Sequence, residues 1–231
     1  MAQAVGVSTK IVFHILHDDL HMKPFKIQEW HKLEFHDYAK RIEFAEWSIK
    51  KGPDFKKWLI CSDEAYFYLT LPSNKQNNRI WSDSRPTEGI EEPLHDEKIL
   101  VWCGISEKKI YGPYFFDGSV NQHNYIGCLN WFYGKHCRLS NNQFYFFQQD
   151  GATPHTANIV QNWLYSKFVN RFITKQMWPP RSPNLNPCDF FLWGYLKGKV
   201  YNPLPKTLED LKKNLKNEIK KIGPDTLKKV F

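Results

Sequence analysis

Two apolar runs in this chain carry an aspartate where a carboxylate is costly. Leu59-Ile60-Cys61-Ser62 leads into Asp63, and Phe144-Tyr145-Phe146-Phe147-Gln148-Gln149 leads into Asp150-Gly151. Burying a charge costs free energy unless a partner compensates it, so the fold must bring these strand ends to a site or to solvent. Strand ends are where open sheets build sites, and both acids can project into one cleft there. Each also has a plainer reading: Asp150 precedes glycine, as in many turns, and Asp63 can pair with a lysine. A third acid, Asp189, follows Asn186-Pro187-Cys188. Asn186 suits a helix N-cap, Pro187 the first helical position and Asp189 the third, where the helix dipole favours a carboxylate. Taken together the three suggest more. Three carboxylates brought close repel one another, and a divalent metal relieves the repulsion while supplying chemistry. Two ions about 4 Å apart activate water and stabilise a leaving oxygen at phosphorus, and Mg²⁺ suits such all-oxygen ligands.

The pattern around these acids changes character along the chain. Gly6 and Ser8 open a short helix with Ile11, Val12, Ile15 and Leu16 as its apolar positions. That matches the turn and second helix of a helix-turn-helix, with Thr9, Lys10, Phe13 and His14 facing a groove, and equally a generic capped helix. A polar stretch interrupted by Pro24 follows, then a helix over Phe35–Lys50 with Tyr38, Ile42, Ala45 and Ile49 along one side, ended by Gly52-Pro53. Strands are expected at Trp58–Leu71, Ile99–Ile105 and Ile110–Phe116, the last two as a hairpin. A helix at Asn121–Gly134, a strand at Phe144–Gln149, a helix at Pro154–Phe168, a short strand at Arg171–Thr174 and a helix at Cys188–Val200 complete the order. Strands meander first and then alternate with helices, which predicts an α/β protein with a mixed sheet flanked by helices.

Charge and cysteines add bounds. The chain has 231 residues with 32 Lys+Arg against 24 Asp+Glu, a formal net charge of +8. Between Lys197 and Phe231 ten lysines face four acids, so most of the excess lies there. In Thr207–Ile222 the residues Leu208, Leu211, Leu215, Ile219 and Ile222 recur at helical spacing beneath that lysine-rich face, which either aids solubility or meets phosphates. The five cysteines form no C-x-x-C pair, and His123, Cys128, His136 and Cys137 fit no zinc module, so buried thiols in a reducing compartment are expected. No apolar run approaches the roughly 20 residues of a membrane span, and no secretory signal opens the chain. A soluble intracellular protein without a membrane partner is expected.

Five blocks, in order, resemble the catalytic domain of mariner-type transposases of the DDE/D superfamily. They are Ser62-Asp63-Glu64; Val101-Trp102-Cys103-Gly104-Ile105; Gly112-Pro113-Tyr114-Phe115-Phe116; Gln148 to Ala157 (QQDGATPHTA); and Trp178 to Gly194 (WPPRSPNLNPCDFFLWG). The resemblance implies a ribonuclease-H-like fold. It implies Asp63, Asp150 and Asp189 as the catalytic and metal-binding acids, with Mg²⁺ or Mn²⁺ as cofactor, as two ions. Asp150 and Asp189 are separated by 38 residues (151 to 188), a little more than the usual mariner spacing. The implied reaction is hydrolysis of phosphodiesters at transposon ends, then joining of the freed 3′ hydroxyl to target DNA. Partners would be duplex DNA, both terminal inverted repeats and target, and a second copy in a homodimer; the location would be nuclear. His155 is placed to reach DNA or orient water, or is a helix-start histidine near solvent; Arg181, Lys197 and Lys199 are further DNA candidates. The aromatics Phe190, Phe191, Trp193 and Tyr195 suit helix packing better than base stacking.

The domain reading is a partial helix-turn-helix at 1–20, a linker and connecting helix at 21–54, a ribonuclease-H-like domain with three aspartates at 55–200, and basic C-terminal helices at 201–231. Family members carry two helix-turn-helix units before the linker, and this chain opens inside the second, as an N-terminally truncated copy would. A recognition helix without its supporting helix buries little apolar surface, so weak, salt-sensitive DNA binding and impaired transposition are expected. The competing readings are a catalytically inactive or domesticated transposon-derived DNA-binding protein, and another ribonuclease-H-like nuclease acting on RNA–DNA hybrids.

Overall fold

A computed structural model of the protein describes residues 6–22, 32–70, 96–137 and 145–231. The expected linker around Pro24, the strand end at Leu71 and the strand start at Phe144 lie outside those residues. The chain divides into two compact units, Met1–Lys32 and Leu33–Phe231. In the first, Ser8 caps α1 (Thr9–His14), its hydroxyl accepting from Ile11 N, and a wide turn at Ile15–Asp19 continues it. Thr9, Lys10, Phe13 and His14 are exposed. So are Ile11 and Ile15, at 49% and 41%, so α1 buries little of the apolar face its spacing prepared.

The second unit is built on four strands. These are β1 (Leu59–Tyr68), β2 (Lys98–Ile105), β3 (Ile110–Phe116) and β4 (Phe146–Gln148), in the order β3-β2-β1-β4. β1 pairs antiparallel with β2 and parallel with β4, and β2 pairs antiparallel with β3. The short strand expected at Arg171–Thr174 contributes one parallel bridge, Phe147 to Phe172. The sheet is mixed, as the order of elements predicted. Gly112, on β3, takes φ +125° where a Cβ would lie 3.1 Å from the Trp102 carbonyl oxygen, so only glycine lets the hairpin close this tightly.

Alternation along β1 sends its side chains to two cores. Ile60 faces the aromatic layer of α3 (Gln122–Phe132) and α5 (Asn158–Phe168), with Trp102, Phe132, Phe147, Val160 and Leu164. Cys128 and Cys137 belong to that layer, and burial pushes the Cys128 thiol up. Cys61, Ala65 and Phe67 face the opposite core. It is closed by α6 (Trp193–Lys197), α7 (Leu208–Lys221) and α8 (Pro224–Val230) through Leu196, Leu211, Leu215, Ile219 and Leu227. The apolar faces of the basic C-terminal helices thus pack into this core.

α2 (Phe35–Lys50) has the bounds its pattern predicted but presents a different face. Tyr38, Ile42 and Ile49 are 57%, 60% and 77% exposed, and the residue it buries is Asp37. The helix is anchored instead by Phe44 against Trp178, by Trp47 against Phe55 and Phe146, and by polar bonds to the loop before Asp189. Arg181 grips Asp37 at 2.6 and 2.8 Å through two nitrogens, and Arg41 donates to Ser182 and Asn184. That two-pronged ion pair, chiefly its hydrogen bonds, lowers the Asp37 pKa.

Candidate active site

The parallel β1–β4 ladder sets two of the aspartates level. Its last paired residues are Cys61 and Gln148, and Asp63 and Asp150 each lie two residues beyond them. Ser62 Oγ donates to the Gln148 carbonyl at 3.1 Å, tying the strands just before the acids. The third aspartate arrives through the loop. Gln148 Nε2 donates to the Leu185 carbonyl, and Asn186 Nδ2 donates to the Ser62 carbonyl while its Oδ1 accepts from Cys188 N. Asn186 thus ties the approach to the next helical turn to β1, but the N-cap position itself falls on Pro187, not on Asn186 as the spacing suggested. The helical turn starts at Cys188, one residue later than the spacing suggested, and is a wide π turn through Leu192 that runs on into α6.

Asp63 points to the α6–α7 face of the sheet, within electrostatic reach of Asp189, which is exposed. Burial, then the charges of Asp189 and Glu64, push the Asp63 pKa well above its ordinary value. One contact works the other way: Trp193 Nε1 donates to Asp63 Oδ2 at 2.7 Å. Trp193 also packs edge-on against Phe67 at 6.1 Å, so the packing role expected of it is joined by a polar one. Phe191 and Tyr195 pack against the same core, whereas Phe190 is 52% exposed.

Asp150 is held differently. Its Oδ1 accepts from Ala152 N at 3.0 Å and from His155 Nδ1 at 2.6 Å. His155 is 2% exposed, so it lies beneath the surface rather than at a DNA-facing position. Its Nε2 stands 3.3 Å from Glu64 Oε1, an ion pair rather than an aligned hydrogen bond. Burial opposes the imidazolium, but Glu64 and Asp150 on either side outweigh it and raise the His155 pKa to about 10. Burial likewise opposes the Asp150 charge, and the His155 hydrogen bond and charge overcome it, leaving Asp150 below the usual carboxylate range. The Tyr125 ring lies 4.2 Å from the imidazole, and the His155 carbonyl accepts from the side-chain amides of Gln149 and Gln161. These two bonds take the carbonyl out of a continuous helix. The expected helix at Pro154–Phe168 is accordingly split into α4 (Thr153–Thr156) and α5, with Ala157 extended between them.

The structure therefore brings Asp63 within electrostatic reach of Asp189 and binds Asp150, just beyond β4, to His155, which pairs with Glu64. Among the described residues, no three His, Cys, Asp or Glu side chains are grouped closely enough to cage a metal ion. The donor chemistry of the first pair nonetheless fits a hard divalent cation. Both ligands are carboxylates, and the repulsion that raises Asp63 is what such a cation removes. Of the DNA candidates, Lys197 and Lys199 are exposed, Lys197 with its ammonium 6.0 Å from the centre of the Phe67 ring. Arg181 is committed to Asp37. Sequence reasoning assigned no role to Glu64, although it stands in the Ser62-Asp63-Glu64 block, nor to Tyr125 and Asp37, because each acts through a partner distant in the chain.

No protein-family model matches the chain. Two curated relatives do. The Tc3 transposase of Caenorhabditis elegans is 31% identical over 193 residues, 82% of this chain and 56% of the relative. The Tcb1 transposase of Caenorhabditis briggsae is 26% identical over 165 residues, 69% of this chain and 58% of the relative. In sequence the chain is similar to mariner/Tc1-type transposases. It spans rather more than half the length of these relatives. Solved structures agree on the fold. The Mos1 transposase paired-end complex with left transposon end superposes with a TM-score of 0.72 at 19% identity, covering 99% of this chain and 68% of that one. The Mos1 mariner catalytic domain gives 0.64 at 15% identity, covering 88% of this chain and 90% of that one. The mixed sheet flanked by helices is thus the ribonuclease-H-like fold of a mariner catalytic domain. Mos1 has been solved with Mn and with Mg. Among the described residues, no helix is long and apolar enough to cross a membrane.

Proposed function

We propose that this chain carries a transposase catalytic domain that cuts DNA phosphodiesters at transposon ends and joins the freed 3′ ends to target DNA. The carrying observation is the half-buried Asp63, its pKa raised by burial and by the charge of Asp189, in a fold shared with mariner transposases. Asp63 and Asp189, with Asp150 at the adjacent strand end, would hold divalent metal, Mg²⁺ or Mn²⁺, as two ions. Bound there, the metal supplies an activated water and charge neutralisation at phosphorus. The chain's own groups do the rest. Trp193 fixes the Asp63 carboxylate through Oδ2 and excludes water from beneath it. Lys197 and Lys199 offer charge to the DNA backbone near Asp189, and the lysines of α7 extend it. Thr9, Lys10, Phe13 and His14 are the groove-facing set of α1, exposed as that role requires. Terminal inverted repeats and target DNA are the proposed partners, a homodimer the proposed working form, since Mos1 is solved in paired-end complexes, and the nucleus the proposed location.

The test is incubation of the full chain with supercoiled and linear duplex DNA and with an RNA–DNA hybrid, in Mn²⁺ or Mg²⁺. The reading expects nicking of duplex that disappears in Asp63→Asn and Asp189→Asn. Cleavage of hybrid alone would replace it with a hybrid-directed nuclease. Binding of duplex without nicking, unchanged by Asp63→Asn, would replace it with a non-catalytic DNA-binding protein.

A further inference from the structure

The Glu64–His155 pair is built to a standard that a helix-start histidine does not need. The imidazole is buried, packed on Tyr125 and held at both nitrogens by carboxylates, Glu64 from the middle of β1 and Asp150 from just beyond β4. Its main chain is as constrained as its ring, because the glutamine amides of Gln149 and Gln161 both hold its carbonyl. Gln149 in turn accepts from the Tyr125 hydroxyl at 2.9 Å, so ring and carbonyl are fixed by one connected set of bonds. Everything in this set ends on one atom. Both hydrogen bonds that the described residues give to Asp150 fall on Oδ1, and the side chain remains 40% exposed beside them.

We propose that Glu64 and His155 form a positioning pair that locks the Asp150 carboxylate by its Oδ1 and presents Oδ2 to the metal and phosphate. This rests on the reading of Asp150 as a metal ligand. Glu64 has a part distinct from that of its neighbour Asp63. Strand alternation sends it to the opposite face of β1, where it does not compete for metal but orients the histidine that orients Asp150. A flexible aspartate at a strand end samples several rotamers, and holding one in place spares the site that ordering cost when the cation binds. His155 touches neither substrate nor metal in this scheme; it acts through Asp150.

The test uses the full chain, stripped with chelator, and reads Mn²⁺ affinity by calorimetry with the melting temperature measured alongside. Asp150→Asn is expected to weaken Mn²⁺ binding. His155→Phe keeps a ring against Tyr125 but removes the donor, and is expected to weaken binding about 10- to 100-fold, the range for partners that orient a ligand. His155→Asn places an amide N–H where Nδ1 stood and should stay within about threefold of the parent. Should His155→Phe fail to fold, Glu64→Gln stands in, with a loss of Mn²⁺ affinity of about threefold or more expected at a temperature well below its own melting point. Equal losses in His155→Phe and His155→Asn would overturn the proposal, because the bond to Oδ1 would then be irrelevant. Parental affinity in His155→Phe with a loss in Asp150→Asn would also overturn it, while leaving Asp150 a ligand. Parental affinity in Asp150→Asn would instead remove the reading on which it rests.

Discussion

Removing the indole donor beneath Asp63 isolates the electrostatic part of this site. Trp193→Phe keeps an aromatic ring against Phe67 and deletes the 2.7 Å bond to Asp63 Oδ2. A hydrogen bond to a charged group contributes about 1.5–3 kcal/mol, and one between neutral groups about 0.5–1.5 kcal/mol. The cost should therefore depend on whether Asp63 is ionised. Its folded pKa lies above its ordinary value of 3.8, so Asp63 stabilises the metal-free protein most at low pH and loses that contribution as pH rises through the folded pKa. Trp193 opposes the rise, so its removal should raise the Asp63 pKa further. Trp193→Phe is expected to cost about 1 kcal/mol plus its packing loss at low pH, where Asp63 is protonated, and about 2–3 kcal/mol plus the same loss at a pH above the folded pKa, where it is ionised. At about 2–4 °C per kcal/mol for a chain of this size, the difference is a few degrees in melting temperature. Urea unfolding followed by far-UV circular dichroism in chelator would read it. Asp63→Asn in a double-mutant cycle cancels the packing part. If Trp193→Phe costs the same at both pH values, and the same in the Asp63→Asn background as in the parent, the indole acts only by packing and the reasoning fails.

Three further outcomes follow from the same geometry. Raised to about 10 by its two carboxylate neighbours, His155 should stay doubly protonated at about pH 8, and its contribution to stability should be complete below its ordinary pKa of 6.5 and lost as pH climbs through about 10; nitrogen-detected NMR of the imidazole would show a neutral ring at pH 8 if this is wrong. Asp37 is depressed by Arg181, so the ion pair should support the fold above the ordinary carboxylate pKa and weaken as pH falls through the folded value; Arg181→Ala should melt lower than the parent at neutral pH and converge on it in acid, as thermal scans across pH would show. Lys197→Ala and Lys199→Ala should each weaken duplex binding and reduce the slope of log affinity against log salt by about one, measured by fluorescence anisotropy, and an unchanged slope would exclude them from the backbone contact.

Much of this fold was readable because local periodicity coincides with burial in particular elements. β3 runs over Ile110–Phe116 and α2 over Phe35–Lys50 with the bounds their patterns predict, and α7 buries Leu211, Leu215 and Ile219 as its spacing requires. The face of α2 was not readable. Its apolar stripe is exposed, because the helix is held by Phe44, Trp47 and the Asp37–Arg181 pair, and ion-pair partners 144 residues apart leave no local trace. The aspartates stood out as charges in apolar segments. The device around Asp150 did not, because its histidine pairs with a glutamate on the adjacent strand, 91 residues earlier, and the histidine carbonyl accepts from two glutamine side chains. Those same bonds break the helix that the sequence pattern runs unbroken from Pro154 to Phe168.

Anomalous diffraction from crystals soaked in Mn²⁺ tests the central claim most directly, because it locates the ion and its ligands without depending on activity. The account predicts a Mn²⁺ peak bound by Asp63 and Asp189 carboxylate oxygens, with Asp150 adding Oδ2 while Oδ1 keeps its bond to His155. A peak elsewhere, or none between Asp63 and Asp189 at saturating Mn²⁺, would contradict it.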